Sequence, residues 1–321
     1  MPESIAVIGC GAAAALHTRT LRRIAPALPR YYASRCGEKA CAFSQRSGGA
    51  GWFNSYDAAL HDERVAVALI VTPPATHLEL TLAALRAGRH VIVEKPAFLT
   101  TGECDIAAAA AAAAGRQVLV AENYFYKPLT RVLREIIASG RIGAVRLIRL
   151  NALKWQRAAG WRADAALAGG GPLFEGGIHW LSMLNSLGPE IVSLRTQECG
   201  SALTTLSTAQ YANGGTAALA YSWEVRSRIG GIQLSQLHGT RGSVVFESNG
   251  LFVREKHGGF VFPGLRDLPG YRAMFRDFFS ALDEGRLPRF TLQHARRDIE
   301  LLEQSVGTYP QHQMEGGSWT S

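Results

Sequence analysis

Two hydrophobic rhythms share this chain, and one gives way to the other near residue 122. In the first third, short runs that are apolar at nearly every position alternate with stretches of helical periodicity. The runs over 4–8, 30–34, 65–72 (Val-Ala-Val-Ala-Leu-Ile-Val-Thr), 90–94 and 117–121 read as strands. Between them, 12–24 reads as a helix that stops before Pro26, and 76–87 as one that ends at Gly88. Thr100 and Glu103 make a capping box ahead of an eight-alanine run over 107–114, a helix driven by propensity. Strands without alternation, separated by helices, predict a parallel sheet covered on both faces.

Beyond residue 122 the pattern changes. A helix over 128–139 stops at Gly140, and 145–153 is a longer strand with some alternation. A polar, glycine-rich loop over 157–171 leads to a helix over 172–187, with Pro172 in its first turn. Five strand-like runs follow at 191–196, 204–211, 216–223, 232–238 and 243–247, with turn signals between them. Strands in succession predict an antiparallel sheet. Helices over 271–284 and 293–303 complete the pattern. The expected division is therefore 1–122 and 123–321, both of the α/β class.

A chain of 321 residues exceeds what one core ordinarily serves, which agrees with two domains. With 47% hydrophobic and 19% charged residues, the composition is that of a globular protein. The net charge of +8 comes from scattered arginines rather than a basic tract, so no nucleic-acid partner is expected, although anions such as phosphate or carboxylate suit the field. No apolar stretch is long enough to span a bilayer and no secretory leader is visible, so the expected location is a reducing cytoplasm, with no membrane partner. The five cysteines (Cys10, Cys36, Cys41, Cys104 and Cys199) are odd in number and contain no CxxC, which argues against a disulfide framework and a zinc site.

The chemistry concentrates at the ends of predicted strands. Gly9-Cys10-Gly11-Ala12-Ala13 follows a strand and opens a helix, the context of a dinucleotide cradle. Gly9 permits the tight turn, Gly11 lets backbone approach a pyrophosphate, and the helix amides meet its charge. The acid that would bond the ribose diol of NAD, about 20 residues on, is replaced by Ser34-Arg35, with Lys39 nearby. A hydroxyl and a guanidinium suit a 2′-phosphate, so NADP is preferred, with NAD the alternative. Thr72 and Pro73 end the third long run, on the edge where open α/β sheets bind ligands. His77, at the next helix start, either faces the cofactor or bonds backbone. Glu94-Lys95-Pro96 ends the fourth run and points Lys95 toward a nicotinamide crevice, where an ammonium can hold a substrate oxygen or relay a proton.

The segment 169–179 reads Gly-Gly-Gly-Pro-Leu-Phe-Glu-Gly-Gly-Ile-His. Glu175 and His179 stand four apart on one helix face, a spacing that suits a histidine acid/base with an orienting carboxylate. Metal binding needs a third ligand, and none is suitably spaced, so no metal is expected. Gly176 and Gly177 each cost about 1 kcal/mol inside a helix, which argues for close approach of a ligand or another backbone. Arg162, after Trp161, is placed to clamp a hydroxylated or anionic substrate, with Tyr126, Lys154 and Trp155 as weaker contacts.

Together these segments, with Thr72-Pro73-Pro74-Ala75-Thr76-His77 and Glu122-Asn123-Tyr124-Phe125-Tyr126-Lys127-Pro128, resemble the Gfo/Idh/MocA oxidoreductase family over nearly the whole chain. The resemblance implies an N-terminal Rossmann domain with a doubly wound parallel sheet. It also implies a C-terminal α/β domain with an open, mostly antiparallel sheet that mediates homodimers or homotetramers. It implies reversible hydride transfer between NAD(P) and a carbinol or ketone carbon of a sugar, cyclitol or similar polyol. By the same resemblance, Lys95 matches the catalytic lysine and His179 the catalytic histidine, and Asn123 joins Glu94 and Lys95 among the expected cofactor contacts. The chain departs from the family at Glu175, where an aspartate is usual. An extra methylene moves a carboxylate by about 1 Å, and such a misplacement can cost about 10²-fold in rate. Two alternatives follow from other relatives: redox-assisted glycoside cleavage with tightly held NAD, and dinucleotide sensing without catalysis.

Overall fold

The structure is a computed structural model that describes residues 1–225, 231–256 and 259–306. The end of the expected second domain, 307–321, lies outside the described residues. The chain divides into two compact units: Met1–Glu122 with Tyr271–Arg296, and Asn123–Gly270 with the described residues from Arg297 on.

In the first unit, strands β1 (Ile5–Ile8), β2 (Arg30–Ala33), β3 (Gly51–Phe53), β4 (Val67–Ile70), β5 (His90–Glu94) and β6 (Val118–Ala121) form one sheet in the order β3-β2-β1-β4-β5-β6. Every pairing is parallel, so all six carboxyl ends lie along one edge. All four residues of β1 and of β4 are wholly buried, and each such Val or Ile contributes about 1.5–3 kcal/mol. This is the doubly wound Rossmann order expected from runs that are apolar at every position.

The helices of this unit are α1 (Ala12–Ile24), α2 (Gly37–Ser47), α3 (Tyr56–His61), α4 (His77–Arg86) and α5 (Thr101–Ala114). The alanine-rich α5 buries Cys104, Ala107 and Ala111, a single stripe at helical spacing. Half of its expected capping box takes another form. Thr100 Oγ1 accepts the Glu103 N–H at 3.1 Å, and the Glu103 carboxylate reaches back to the Leu99 N–H at 2.8 Å.

The second unit opens with α6 (Asn123–Tyr126) and α7 (Pro128–Ala138). Its sheet contains β7 (Val145–Leu153), β8 (Ile191–Glu198), β9 (Thr204–Tyr211), β10 (Thr216–Ser222), β11 (Leu234–Gly239), β12 (Ser243–Glu247), β13 (Val253–Glu255) and β14 (Phe260–Val261). Their order is β14-β13-β12-β11-β7-β10-β9-β8. Only the β7–β10 pair is parallel, and the rest run antiparallel. Along β9, buried Thr205, Ser207, Ala209 and Tyr211 alternate with exposed Leu206, Thr208 and Gln210, the mark of a sheet with one covered face.

Two expectations are corrected here. The stretch 157–171 is not all loop: it holds a 3₁₀ turn at Gly160–Ala163 and the short helix α8 (Ala165–Ala168), which Asp164 caps by accepting from Ala166 N at 3.0 Å. The helix expected over 172–187 begins as a π-wound turn, Leu173–Gly177, and becomes α-helical as α9 (Ile178–Leu187).

The chain then forms α10 (Tyr271–Glu284), which packs on α1 within the first unit, and α11 (Leu292–Val306).

Candidate functional sites in the two units

The carboxyl edge of the parallel sheet gathers most of the expected cofactor residues. Gly9 has φ +109°, and a Cβ there would lie 3.2 Å from both the Val71 carbonyl oxygen and Thr72 Cγ2. Conformation and space therefore both require glycine. Gly11 caps α1, and a Cβ on it would meet nothing within 4 Å. Gly11 and Ala12 are exposed, Ala13 is half-buried, and the first turn of α1 carries no acidic side chain. Open space above helix amides with no competing carboxylate fits a dinucleotide pyrophosphate. Cys10 is a small buried filler: its Sγ lies 3.5 Å from the Ala33 carbonyl, and burial pushes its thiol up against the charges of Lys39 and Arg46.

At the end of β2, Ser34 is buried and its Oγ accepts the Cys36 N–H at 3.2 Å. Arg35 is exposed and hydrogen-bonds Tyr56, at the start of α3. Burial pushes the Tyr56 hydroxyl up, and the Arg35 charge and hydrogen bond oppose it. At the end of β4, Thr76 Oγ1 bonds Thr72 Oγ1 at 2.7 Å and the Pro73 carbonyl at 2.8 Å.

His77 is a strap between two strand ends rather than a cofactor contact. Its Nδ1 lies 3.0 and 3.1 Å from the Pro96 and Ala97 carbonyls, and its Nε2 lies 2.9 Å from the Thr72 carbonyl. No ring nitrogen is left for a ligand. Full burial pushes its pKa down, against three carbonyl acceptors that favour the charged ring.

At the end of β5, Glu94 Oε1 hydrogen-bonds His17 Nε2, from α1, and Glu94 Oε2 accepts the Lys95 N–H at 3.0 Å. Burial pushes the Glu94 carboxyl up, but the His17 hydrogen bond and charge, with Lys95, outweigh it and hold the group at about 2. The Lys95–Pro96 peptide is cis.

In the second unit, His179 is half-buried on α9, with its ring stacked on Tyr124 at 4.3 Å and 11° between planes. The Lys127 ammonium, on a residue 4% exposed, sits 4.2 Å from the centre of the same Tyr124 ring. Glu175 is buried in the π-wound turn, and Arg162 Nε donates to its Oε1 at 2.9 Å. The Arg162 guanidinium lies 4.4 Å from the Trp161 ring. Glu175 and Arg162 line a cavity of about 600 Å³ with Trp155, Arg157, Trp223 and Glu224.

The paired glycines of the turn have a different partner from the ligand or backbone expected. A Cβ on Gly176 would come within 2.2 Å of Tyr221 Oη, so the turn lies directly on a side chain of β10. Tyr221 in turn accepts from Trp223 Nε1 at 2.6 Å. Asn123 is buried and donates to the Pro269 carbonyl at 2.6 Å, which ties α6 to the turn at 267–270. Tyr126 is buried against Phe125, and Trp155 is 47% exposed.

By sequence, neither His17 nor Tyr56 stood out, and Tyr124 and Lys127 stood only within the segment 122–128, without a role. His17 is a single polar residue in a helical stretch, and nothing local marks it, whereas Lys127 stands between α6 and α7, just before Pro128. Tyr56 follows Ser55, a helix-start signal that was available, since Ser55 Oγ accepts the Ala58 N–H at 3.0 Å. Among the described residues no group of three or more His, Cys, Asp or Glu is placed to hold a metal ion, and no helix is long and apolar enough to cross a membrane.

These strand ends and the sheet that follows them define an α/β protein whose first unit has the dinucleotide-binding Rossmann order. The chain belongs to the Gfo/Idh/MocA oxidoreductase family: residues 4–122 match its NAD-binding Rossmann domain and 130–245 its C-terminal domain. It is 34% identical over 195 residues to dTDP-3,4-didehydro-2,6-dideoxy-alpha-D-glucose 3-reductase of Streptomyces violaceoruber, a match that covers 57% of this chain and 54% of that protein. It is 30% identical over 145 residues to D-glucoside 3-dehydrogenase of Escherichia coli (strain K12), covering 44% and 41%. The chain thus spans about half the length of the curated relatives it matches. The crystal structure of GenD2 from gentamicin A biosynthesis, in complex with NAD, superposes with a TM-score of 0.82 at 25% identity, covering 96% of this chain and 95% of that one.

Proposed function

We propose that this protein oxidises or reduces a carbinol or ketone carbon of a sugar or similar polyol with a nicotinamide dinucleotide, NADP in preference to NAD. The observation that carries the reading is the sheet edge of the first unit. There, the open amino end of α1 behind Gly9 and Gly11 shares the carboxyl side of one parallel sheet with Lys95. Gly9, Gly11, Ala12 and Ala13 would hold the pyrophosphate, Thr72, Pro73 and Glu94 would line the crevice, and Asn123 would act through the turn it ties. Ser34, Arg35 and Lys39 stand where an acid would serve NAD, which favours a 2′-phosphate.

When bound, the cofactor supplies the hydride donor or acceptor. Lys95 holds the reacting oxygen and offsets the charge that develops on it, while the His179 imidazole takes or returns the hydroxyl proton. Tyr124, stacked on that ring, fixes its plane. Arg162, held by Glu175, and Trp161 and Tyr126 would orient the substrate. Trp155 and Trp223 suit the apolar face of a pyranose, and Arg157 and Arg162 suit its hydroxyls or an acidic substituent. The named relatives are a didehydro-dideoxy-glucose 3-reductase and a D-glucoside 3-dehydrogenase, so glucosides and deoxy-ketosugars open the substrate panel. The open sheet face, where Leu206 is 40% and Leu234 49% exposed, would join copies of the chain in a homodimer or homotetramer.

The test is turnover followed by reduced-nicotinamide absorbance, with NADP and NAD, over that panel. Lys95→Ala should lower kcat by about 10²–10³-fold while the cofactor Kd stays within about threefold. Full turnover by Lys95→Ala, or no turnover by the intact protein on any sugar, would end the assignment.

A further inference from the structure

His17 takes no part in the chemistry described so far, yet its placement is unusual for a helix residue. It lies on α1, one turn and a half beyond Gly11, and is wholly buried. Its Nε2 bonds Glu94 Oε1, and the second oxygen of that carboxylate accepts the Lys95 N–H at 3.0 Å. The ionised carboxylate accepts, so His17 donates. The rings of Tyr271 and Phe275 close edge-on around the imidazole at 5.5 and 5.3 Å. Nδ1 has no hydrogen-bond partner among the described residues. A largely buried carboxylate bonded to an imidazole with one idle nitrogen stabilises the fold no more than an apolar pair of the same volume often would. Stability alone leaves the arrangement unexplained.

We propose that His17 is a positioning residue for Lys95: through Glu94 it fixes the main chain at the carboxyl end of β5 and fastens it to α1. The helix that would receive the pyrophosphate at its amino end therefore also sets the root of the lysine. The side chain of Lys95 departs from a backbone held by its own N–H, so its direction depends on where Glu94 stands. Glu94 in turn has two fixed attachments, one on each oxygen. What Lys95 does in turnover rests on the function proposed above, whereas the clamp itself is independent of it.

The experiment compares His17→Leu, which removes the donor at similar volume, with His17→Gln, which keeps an N–H donor. The first readout needs no substrate: the rate at which acetic anhydride modifies Lys95 in the full chain, by mass spectrometry, normalised to the exposed Lys39. His17→Leu should change that rate by at least about threefold, and His17→Gln should restore it to within about twofold. In turnover, His17→Leu should lower kcat by about 10–100-fold with KM and cofactor Kd within about threefold. A folded His17→Leu protein with unaltered labelling and kcat overturns the proposal, as does a His17→Gln protein as impaired as His17→Leu. If His17→Leu does not fold, His17→Asn, whose donor is too short to reach Glu94, takes its place with the same expectations. Should the unmodified chain turn over no sugar while the Leu–Gln contrast in labelling persists, the clamp stands and the assigned function falls. Turnover with no contrast in either readout removes the clamp alone.

Discussion

On the proposed reading, Arg35 is the side chain that would decide the choice between NADP and NAD. It stands at the end of β2, exposed, with Tyr56 bonded to it. A tethered guanidinium loses less freedom on meeting a phosphate than a loose one does. Arg35→Ala should therefore weaken NADP binding by about 10–100-fold and NAD binding by less than about threefold, read as Kd by titration calorimetry. Glu94 makes a second prediction, with a sign. Its carboxyl is held at about 2, below the ordinary value of 4.5, by partners that outweigh its burial. The folded value lies below the unfolded one, so the pair stabilises the protein above pH 4.5, and that contribution is lost as pH falls from 4.5 to about 2. Urea midpoints should drop more steeply over that window for the natural chain than for Glu94→Gln. At this scale, glycines with a geometric demand were legible: Gly9 reads correctly because its positive φ and crowded Cβ direction leave no other residue. His77 had two readings in sequence, and only the three carbonyls around its ring separate them.

The π-wound turn at Leu173–Gly177 is the element on which the roles proposed for the second unit depend. A wider turn inside a helix re-aims the residues on either side of it. Glu175 is thereby committed to Arg162, while His179, one turn on, stacks on Tyr124. Gly176→Ala would drive a Cβ to 2.2 Å from Tyr221 Oη, which Trp223 holds from the other side. Such overpacking should cost about 1–3 kcal/mol, seen as a lower Tm. Gly177→Ala should be milder, because the atom it meets, Leu173 Cδ1 at 2.5 Å, ends a flexible side chain. Elements with continuous apolar runs, such as β1 and β4, were legible at once, since burial on both faces leaves no alternation to confuse. The sequence reading missed α2, β3 and α3 because Arg35–Tyr56 mixes polar and small residues, and β3 spans just Gly51–Phe53. The π turn was read as ordinary helix, since its cause is Tyr221, far along the chain.

For the molecule as a whole, the notable feature is a return. The chain leaves the first unit after Glu122 and rejoins it over Tyr271–Arg296. The returning α10 brings wholly buried Met274, Phe275 and Phe278, and packs on α1. A boundary drawn from periodicity could not show this, because α10 looks like any amphipathic helix and its partner lies far upstream. A fragment of residues 1–122 should accordingly melt at a lower temperature and less cooperatively, by circular dichroism, than the same fragment with 271–296 joined to it by a flexible linker. The return also sets a timetable for synthesis. At about 5–20 residues per second, the nascent parallel sheet waits roughly 10–30 s on the ribosome for its final helix. During that interval the apolar flank of α1, including the ring of His17, has no cover, and that is the stage at which a chaperone would have most to protect.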